Sequence, residues 1–344
     1  MISKLQRKTN GGELQQQKRS RVLPPNWVRK LPDEVWTCHV LPCSTLKELL
    51  ELSCLNTGKS VFNKFWKDVV ESCHHIRVIC CSTTRNGEGQ TQIDIPEGKG
   101  GLPQLYCTTI ERAVYVVTHM TVPGTVTVEL SKGIYELSPS VMNCVVYHGC
   151  MNVTCSNITF VGKGQDQTTI IGGIKVYNQQ CVKFEELTVT NPNGRGLAFG
   201  GKDTTGDVLK CVVKECGHIG MWVRDGATVT ATDSEFMENG GHGVCCSGAN
   251  TKARLNDCQM HHNGGNGLSA YLHAVLDLHG TKTDIHSNKQ RGIHACSRGK
   301  INIHLPSQHN TSHDNVTEDR GQHLGGSIAN INADGTFTHV EDDE

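Results

Sequence analysis

The sequence predicts a mainly β chain, a right-handed parallel β-helix of about eight coils preceded by a small helical module. Three observations carry that expectation. A glycine followed by an apolar residue returns every 23 to 25 residues, at Gly173-Ile174, Gly196-Leu197, Gly220-Met221, Gly243-Val244, Gly267-Leu268 and Gly292-Ile293. Apolar residues then recur at alternate positions, as in Leu197/Phe199, Met221/Val223, Val244/Cys246, Leu268/Ala270 and Ile293/Ala295. Composition also shifts near residue 80. Of 37 glycines only Gly11, Gly12 and Gly58 come earlier, and of four tryptophans only Trp222 comes later.

The repeat fixes a phase. Asn239, Asn263 and Asn288 stand four residues before their glycines, Cys216 takes that place in an earlier coil, and Asn191 precedes Gly196 by five. Val213, Phe236, Met260 and Ile285 come three residues before that polar column. Alternation is the strand signature. Glycine is expected to supply the positive φ that each tight corner needs, and stacked asparagines can bond from coil to coil. A single coil cannot bury its inner face, so neighbours must stack. Crossover chirality makes the winding right-handed. The leucine lattice of a leucine-rich repeat is absent, and no proline falls between 193 and 305, as suits strands paired on both edges.

Upstream, Thr109-Ile110-Glu111-Arg112-Ala113-Val114, Val126-Thr127-Val128-Glu129-Leu130 and Lys132-Gly133-Ile134-Tyr135 resemble the opening coil of pectin-lyase-like β-helices. A helix near Ile110 to Val117 is expected to cap the N-terminal end. The expected organisation is a disordered basic arm at 1–25, a helical module at 26–75, a linker at 76–106, the β-helix at 107–306, and a loop or cap with an acidic tail at 307–344. The run Lys18-Arg19-Ser20-Arg21 is a solvated basic tail or a nuclear import signal.

Net charge −1 gives no overall drive toward nucleic acid or anionic membrane. No apolar run reaches membrane-spanning length, and the first residues lack the apolar core of a secretory signal. The 17 cysteines therefore read as reduced thiols in the cytoplasm or nucleus. No Cys-x-x-Cys occurs, and Cys38/Cys43, Cys150/Cys155 and Cys211/Cys216 lack the second pair of a zinc site. No cofactor or metal is expected.

Residues 31–70 carry apolar residues at helical spacing: Val35, Trp36, Val40 and Leu41, then Leu46, Leu49, Leu50 and Leu52, then Val61, Phe62, Phe65, Trp66, Val69 and Val70. So small a unit leans on a partner. Leu31-Pro32-Asp33-Glu34-Val35-Trp36, Val40-Leu41, Leu46-Lys47-Glu48-Leu49, Leu52-Ser53-Cys54-Leu55-Asn56 and Phe65-Trp66-Lys67 resemble an F-box in order and spacing. The resemblance implies docking to a Skp-type adaptor of a cullin ubiquitin ligase through Leu31, Pro32, Val40, Leu41, Leu46 and Leu49. Together with the β-helix it extends to F-box proteins that carry CASH-type β-helix repeats. It implies a ligase substrate receptor that holds an unknown target protein and performs no bond chemistry. Animal members of that layout carry a Cys/His-rich zinc finger after the β-helix, which this sequence lacks. The alternatives are a carbohydrate-active β-helix enzyme, a polysaccharide lyase or hydrolase, and a scaffold repeat.

Stacked by coil, the repeat shows no clustered catalytic acids. Asp233 above Asp257 holds a cation or consists of solvated turn residues. His261 stacks on His286 among 18 histidines, as a metal site or as a polar surface. The outward positions after each glycine run Ala198, Trp222, Cys245, Ser269 and His294, and two residues further Gly200, Arg224, Ser247, Tyr271 and Cys296. Trp222, Arg224, Tyr271 and His294 are expected to share one partner-binding flank, since aromatic and arginine side chains anchor interfaces.

Overall fold

The computed structural model describes residues 75–80, 83–85, 91–93, 104–107, 109–119, 124–137, 150–304, 311–332 and 334–339. The arm, the helical module expected at 26–75 and the six adaptor-contact residues named above lie outside the described residues.

The chain winds through three parallel sheets, the first of twelve strands and the second and third of eight each. A representative coil enters the second sheet at Gly173–Tyr177, the first at Val182–Glu185 and the third at Thr188–Thr190, then begins again at Leu197–Gly200. Complete coils run from the strand Cys150–Val153 to the strand Thr311–His313, which makes about seven rather than the expected eight. The difference lies before residue 150, where Ile110–His119 is a helix rather than a turn of the solenoid. Partial turns flank the seven coils: Thr125–Leu130 and Gly133–Glu136 before them, Glu318–His323 and Ser327–Ile331 after them.

Both flanking stretches supply strands where linker and loop were expected. His75–Cys80 lies parallel between Gln104–Cys107 and Thr125–Leu130. Thr311–His313 continues the third sheet, and Phe337–His339 closes the first sheet with an antiparallel strand, covering an edge that would otherwise invite pairing.

The glycine column works differently from the expectation. Gly196, Gly220, Gly243, Gly267 and Gly292 are absent from the left-handed region. They are glycines because the next coil leaves no room. A Cβ on Gly220 would lie 2.7 Å from Asn239 Nδ2 and 2.7 Å from Gly243 O. Many of the left-handed corners fall instead to polar residues, among them Lys210, Asp233 and Asp257 between the first and third sheets, and Glu215, Glu238, His262, Ser287 and Asp314 after the third, while Gly172 and Gly280 serve two others. Asp and Asn bear this conformation with least strain because they bond their own or neighbouring backbone. Asp257 bonds the backbone of the next coil instead: its Oδ1 accepts from Thr281 N at 2.7 Å and Lys282 N at 2.8 Å. Asp257 is thus a turn residue.

The asparagine ladder forms and is one coil longer than expected. Asn239 Nδ2 donates to Asn263 Oδ1 at 3.0 Å, Asn263 to Asn288 at 2.9 Å, and Asn288 to Asn315 at 2.9 Å. Each Oδ1 also accepts the backbone N–H at the same position of the preceding coil, from Cys216, Asn239, Asn263 and Asn288. The second Nδ2 hydrogen bonds a carbonyl of the preceding coil: Val213 O, Phe236 O and Met260 O. These fully buried amides therefore meet the requirement that buried polar groups be paired.

Inside, side chains of the three sheets form one continuous apolar core. Phe160 and Phe184 stack at 5.2 Å between adjacent coils. Gly206 opens the first sheet for Phe199, whose ring occupies the space a side chain would take. Helix α1, Ile110–His119, turns Ile110, Ala113, Val114 and Val117 into that core at helical spacing, the cap expected from sequence. Burial pushes the thiols of Cys211, Cys216, Cys245 and Cys258 up to about 12, so they behave as small apolar groups.

Candidate functional site

Parallel register places Trp222, Cys245, Ser269 and His294 in one outer column of the second sheet, with Arg224, Ser247 and Tyr271 in the next. All four residues expected on a binding flank therefore share one face. The face is less open than its alternation suggests, because Ala198, Cys245, Ser269 and His294 are buried. The covering groups come from the turn before each strand. The residue preceding four of the column glycines (Arg195, His242, Asn266, Arg291) reaches over that column or hydrogen-bonds beside it. This signal is present in the sequence at the position before Gly196, Gly243, Gly267 and Gly292, and the expected flank omitted it.

Two clusters result. In the first, the Trp222 ring lies between two guanidiniums, with Arg195 at 4.2 Å and Arg224 at 4.5 Å from its centroid. Such contacts contribute roughly 0.5–2 kcal/mol each, depending on desolvation. Arg224 also pairs with Asp225 at 2.7 Å. Gly200 leaves the gap between Tyr177 and Arg224.

The second cluster lies two coils further on. His294 Nδ1 is 3.2 Å from Tyr271 Oη and 3.2 Å from Asn266 Nδ2. Asn266 Nδ2 also donates to Ser269 Oγ at 2.9 Å, and Asn266 Oδ1 accepts from Arg291 N at 2.9 Å. His242 Nδ1 accepts from the backbone N of Asn266 at 2.9 Å. Asn266 Nδ2 carries only donors, so it makes Nδ1 the acceptor nitrogen of His294 and puts the ring proton on Nε2, while the Tyr271 hydroxyl lies within reach of both Nδ1 and, at 3.5 Å, Ser269 Oγ. Nε2 is buried with no hydrogen-bond partner among the described residues. Burial first, then the charge of Arg291 and the neighbouring His323 and His242, depress His294 to about 4. Burial likewise lowers His242 and raises the Tyr271 phenol. At neutral pH the cluster is thus an uncharged imidazole against a protonated phenol.

Among the described residues no group of three His, Cys, Asp or Glu converges to hold a metal ion. His261 and His286 do stack as expected, on the outer side of the third sheet.

A family described as right-handed β-helix region matches residues 143–315, half of the chain, and the chain belongs to that family. No curated protein matches it. Among solved structures it is similar to pectate lyase Pel9A, at 13% identity and TM-score 0.44 over 69% of this chain and 66% of that one. It is similar to the Agl-KA catalytic domain at 16% identity and TM-score 0.43, over 62% of this chain and 42% of that one. Pectin methylesterase PemA from Erwinia chrysanthemi matches at 10% identity and TM-score 0.42, over 76% and 84%. The chain spans less than two thirds of the first two. The family match agrees with the fold described above, a right-handed β-helix. The expectation of a chain without bond chemistry is withdrawn, since the solved structures it resembles are described as pectate lyases and pectin methylesterases.

Proposed function

We propose that the chain is a carbohydrate-active β-helix protein that lays an extended saccharide along its second sheet. The carrying observation is the Tyr271 Oη–His294 Nδ1 contact of 3.2 Å, set two coils from the Trp222 ring and its two guanidiniums. Coils stacked in register present side chains at a fixed spacing of about 4.8 Å, which suits an extended, repeating ligand. A few convergent polar groups beside aromatic surface are what a polyhydroxylated ligand needs for orientation.

In this reading Trp222, Arg195 and Arg224 anchor one stretch of the saccharide and Tyr271 meets another. A sugar hydroxyl or water against Tyr271 Oη gives its proton to the phenol oxygen while the phenol proton moves to His294 Nδ1. The acceptor nitrogen is already aimed and its ring is neutral at rest, although depression to about 4 makes it a weak proton acceptor. The test is a panel of neutral and acidic polysaccharides, with binding measured by calorimetry and turnover by reducing-end release and unsaturated-product absorbance. Binding to one class is expected, with Tyr271→Phe lowering turnover by about 10²–10⁴-fold while binding persists. No binding across the panel would refute the reading.

The F-box-like segment from Leu31 to Lys67 favours a second reading for the N-terminal part. It supports docking to a Skp-type adaptor through Leu31, Pro32, Val40, Leu41, Leu46 and Leu49, so that whatever the β-helix captures is held near a ubiquitin ligase. Pull-down of the adaptor by the intact chain, lost on Leu41→Asp, is the expected result. Failure of the intact chain to bind would remove it.

A further inference from the structure

Histidine-on-histidine contacts cluster at the C-terminal coils, and they occur on all three sheets. On the third sheet His286 lies between His261 and His313, with ring centroids 4.8 and 5.2 Å apart and rings within 6° and 14° of parallel. On the first sheet His279 and His304 stack at 3.9 Å and 14°. On the second His294 meets His323 at 5.4 Å. These pairs tie the last three turns together. On the third sheet parallel register sets His261, His286 and His313 at the same position of successive coils, so the backbone ladder holds their rings close.

Carboxylates are distributed unequally among these rings. His261 Nε2 is 2.6 Å from Glu235, His304 Nε2 is 3.3 Å from Asp277, and His313 touches both Asp284 at 3.1 Å and Asp314 at 2.7 Å. No carboxylate hydrogen-bonds to His279, His286 or His294 among the described residues. His286 faces His261, His262, His313, Asp284 and Ser287. His279 faces His304, Arg254 and Asp277. His294 faces His323, His242, Arg291, Glu318, Tyr271 and Asn266.

We propose that these stacked imidazoles form an acid-sensitive clasp that frees the last coils of the solenoid as the pH becomes mildly acidic. Neutral rings stack, whereas imidazolium rings at these distances repel. Burial, then neighbouring cations, depress His279 and His294 to about 4, and His286 is also lowered. The released end binds protons more readily than the folded end. The stability these three rings contribute is therefore whole above the ordinary histidine value near 6.5 and is lost as pH falls from there toward about 4, while His313, raised by its bond to Asp314, acts in the opposite sense. The clasp stands whether or not the second sheet binds saccharide.

Hydrogen exchange of the full chain, read by mass spectrometry at pH 7.5 and 5.0 and corrected for intrinsic rates, tests it. Peptides across 275–323 should lose about tenfold or more of their protection at pH 5.0, while 150–247 keeps theirs. His279→Gln with His286→Gln should reduce that loss. Equal loss along the solenoid, no loss, or an undiminished loss in the double variant would overturn the clasp. Should the double variant not fold, the ring-proton titration of the unaltered protein decides. Values for His279 and His294 well below 6.5 are expected, and ordinary values overturn the proposal.

Discussion

Replacing Asn263 by alanine removes the middle rung of the polar ladder and leaves specific groups without partners. Asn239 loses the acceptor of its backbone N–H, at 3.2 Å, and of its Nδ2, at 3.0 Å. Asn239 is 1% exposed and Asn263 is fully buried, so bulk water does not replace the lost oxygen. Each orphaned buried donor costs about 1–3 kcal/mol, so the pair costs roughly 2–6 kcal/mol, before any contribution from the space left behind. A domain is stable by only about 5–15 kcal/mol, so the loss is large. Asn256 provides the internal comparison. It lies on the outer side of the first sheet, where its Nδ2 bonds Thr232 Oγ1 at 3.2 Å, and Asn256→Ala should cost less than about 1 kcal/mol. Urea denaturation of both variants, followed by far-ultraviolet circular dichroism, measures the difference. If Asn263→Ala lay within 1 kcal/mol of Asn256→Ala, the ladder would not be the structural device described here.

Three further outcomes follow from the same geometry. Gly220→Ala places a methyl group 2.7 Å from both Asn239 Nδ2 and Gly243 O, and should lower stability by about 1–3 kcal/mol in the same denaturation assay. Asp233→Gly relieves a left-handed residue with φ 47° and should leave stability unchanged or raise it by up to about 1 kcal/mol, whereas Asp233→Val should lower it. Trp222→Ala removes the ring held between Arg195 and Arg224. It should weaken saccharide binding about tenfold or more by calorimetry while leaving the thermal midpoint within a few degrees, since the residue is only partly buried.

The solenoid was legible because its period is enforced residue by residue. The glycine column, the apolar alternation and the asparagines each repeat with the coil, and each repeat has a physical cause. The cause assigned to the glycines from sequence was mistaken. Spacing alone cannot separate a glycine needed for positive φ from one needed for close approach, and only the stacked coils show Asn239 beside Gly220. Asn315 was missed because the coil between Asn288 and Asn315 is longer than the repeat. The strands at 75–80 and 104–107 carry no glycine period, so nothing local marked them as members of the first sheet. The second-sheet flank was found through Trp222, Arg224, Tyr271 and His294, but its covering groups were not. Alternation reports which way a strand residue points, and is silent about the turn residues Arg195, His242 and Asn266 that fold back over it.

Titrating the full chain with the polysaccharide panel, beside Tyr271→Phe and Trp222→Ala, tests the central claim most directly. The expected result is a saccharide that the unaltered protein binds and turns over, that Tyr271→Phe binds without comparable turnover, and that Trp222→Ala binds weakly. Affinity unchanged in Trp222→Ala together with turnover unchanged in Tyr271→Phe would contradict the assignment of the second sheet as the site.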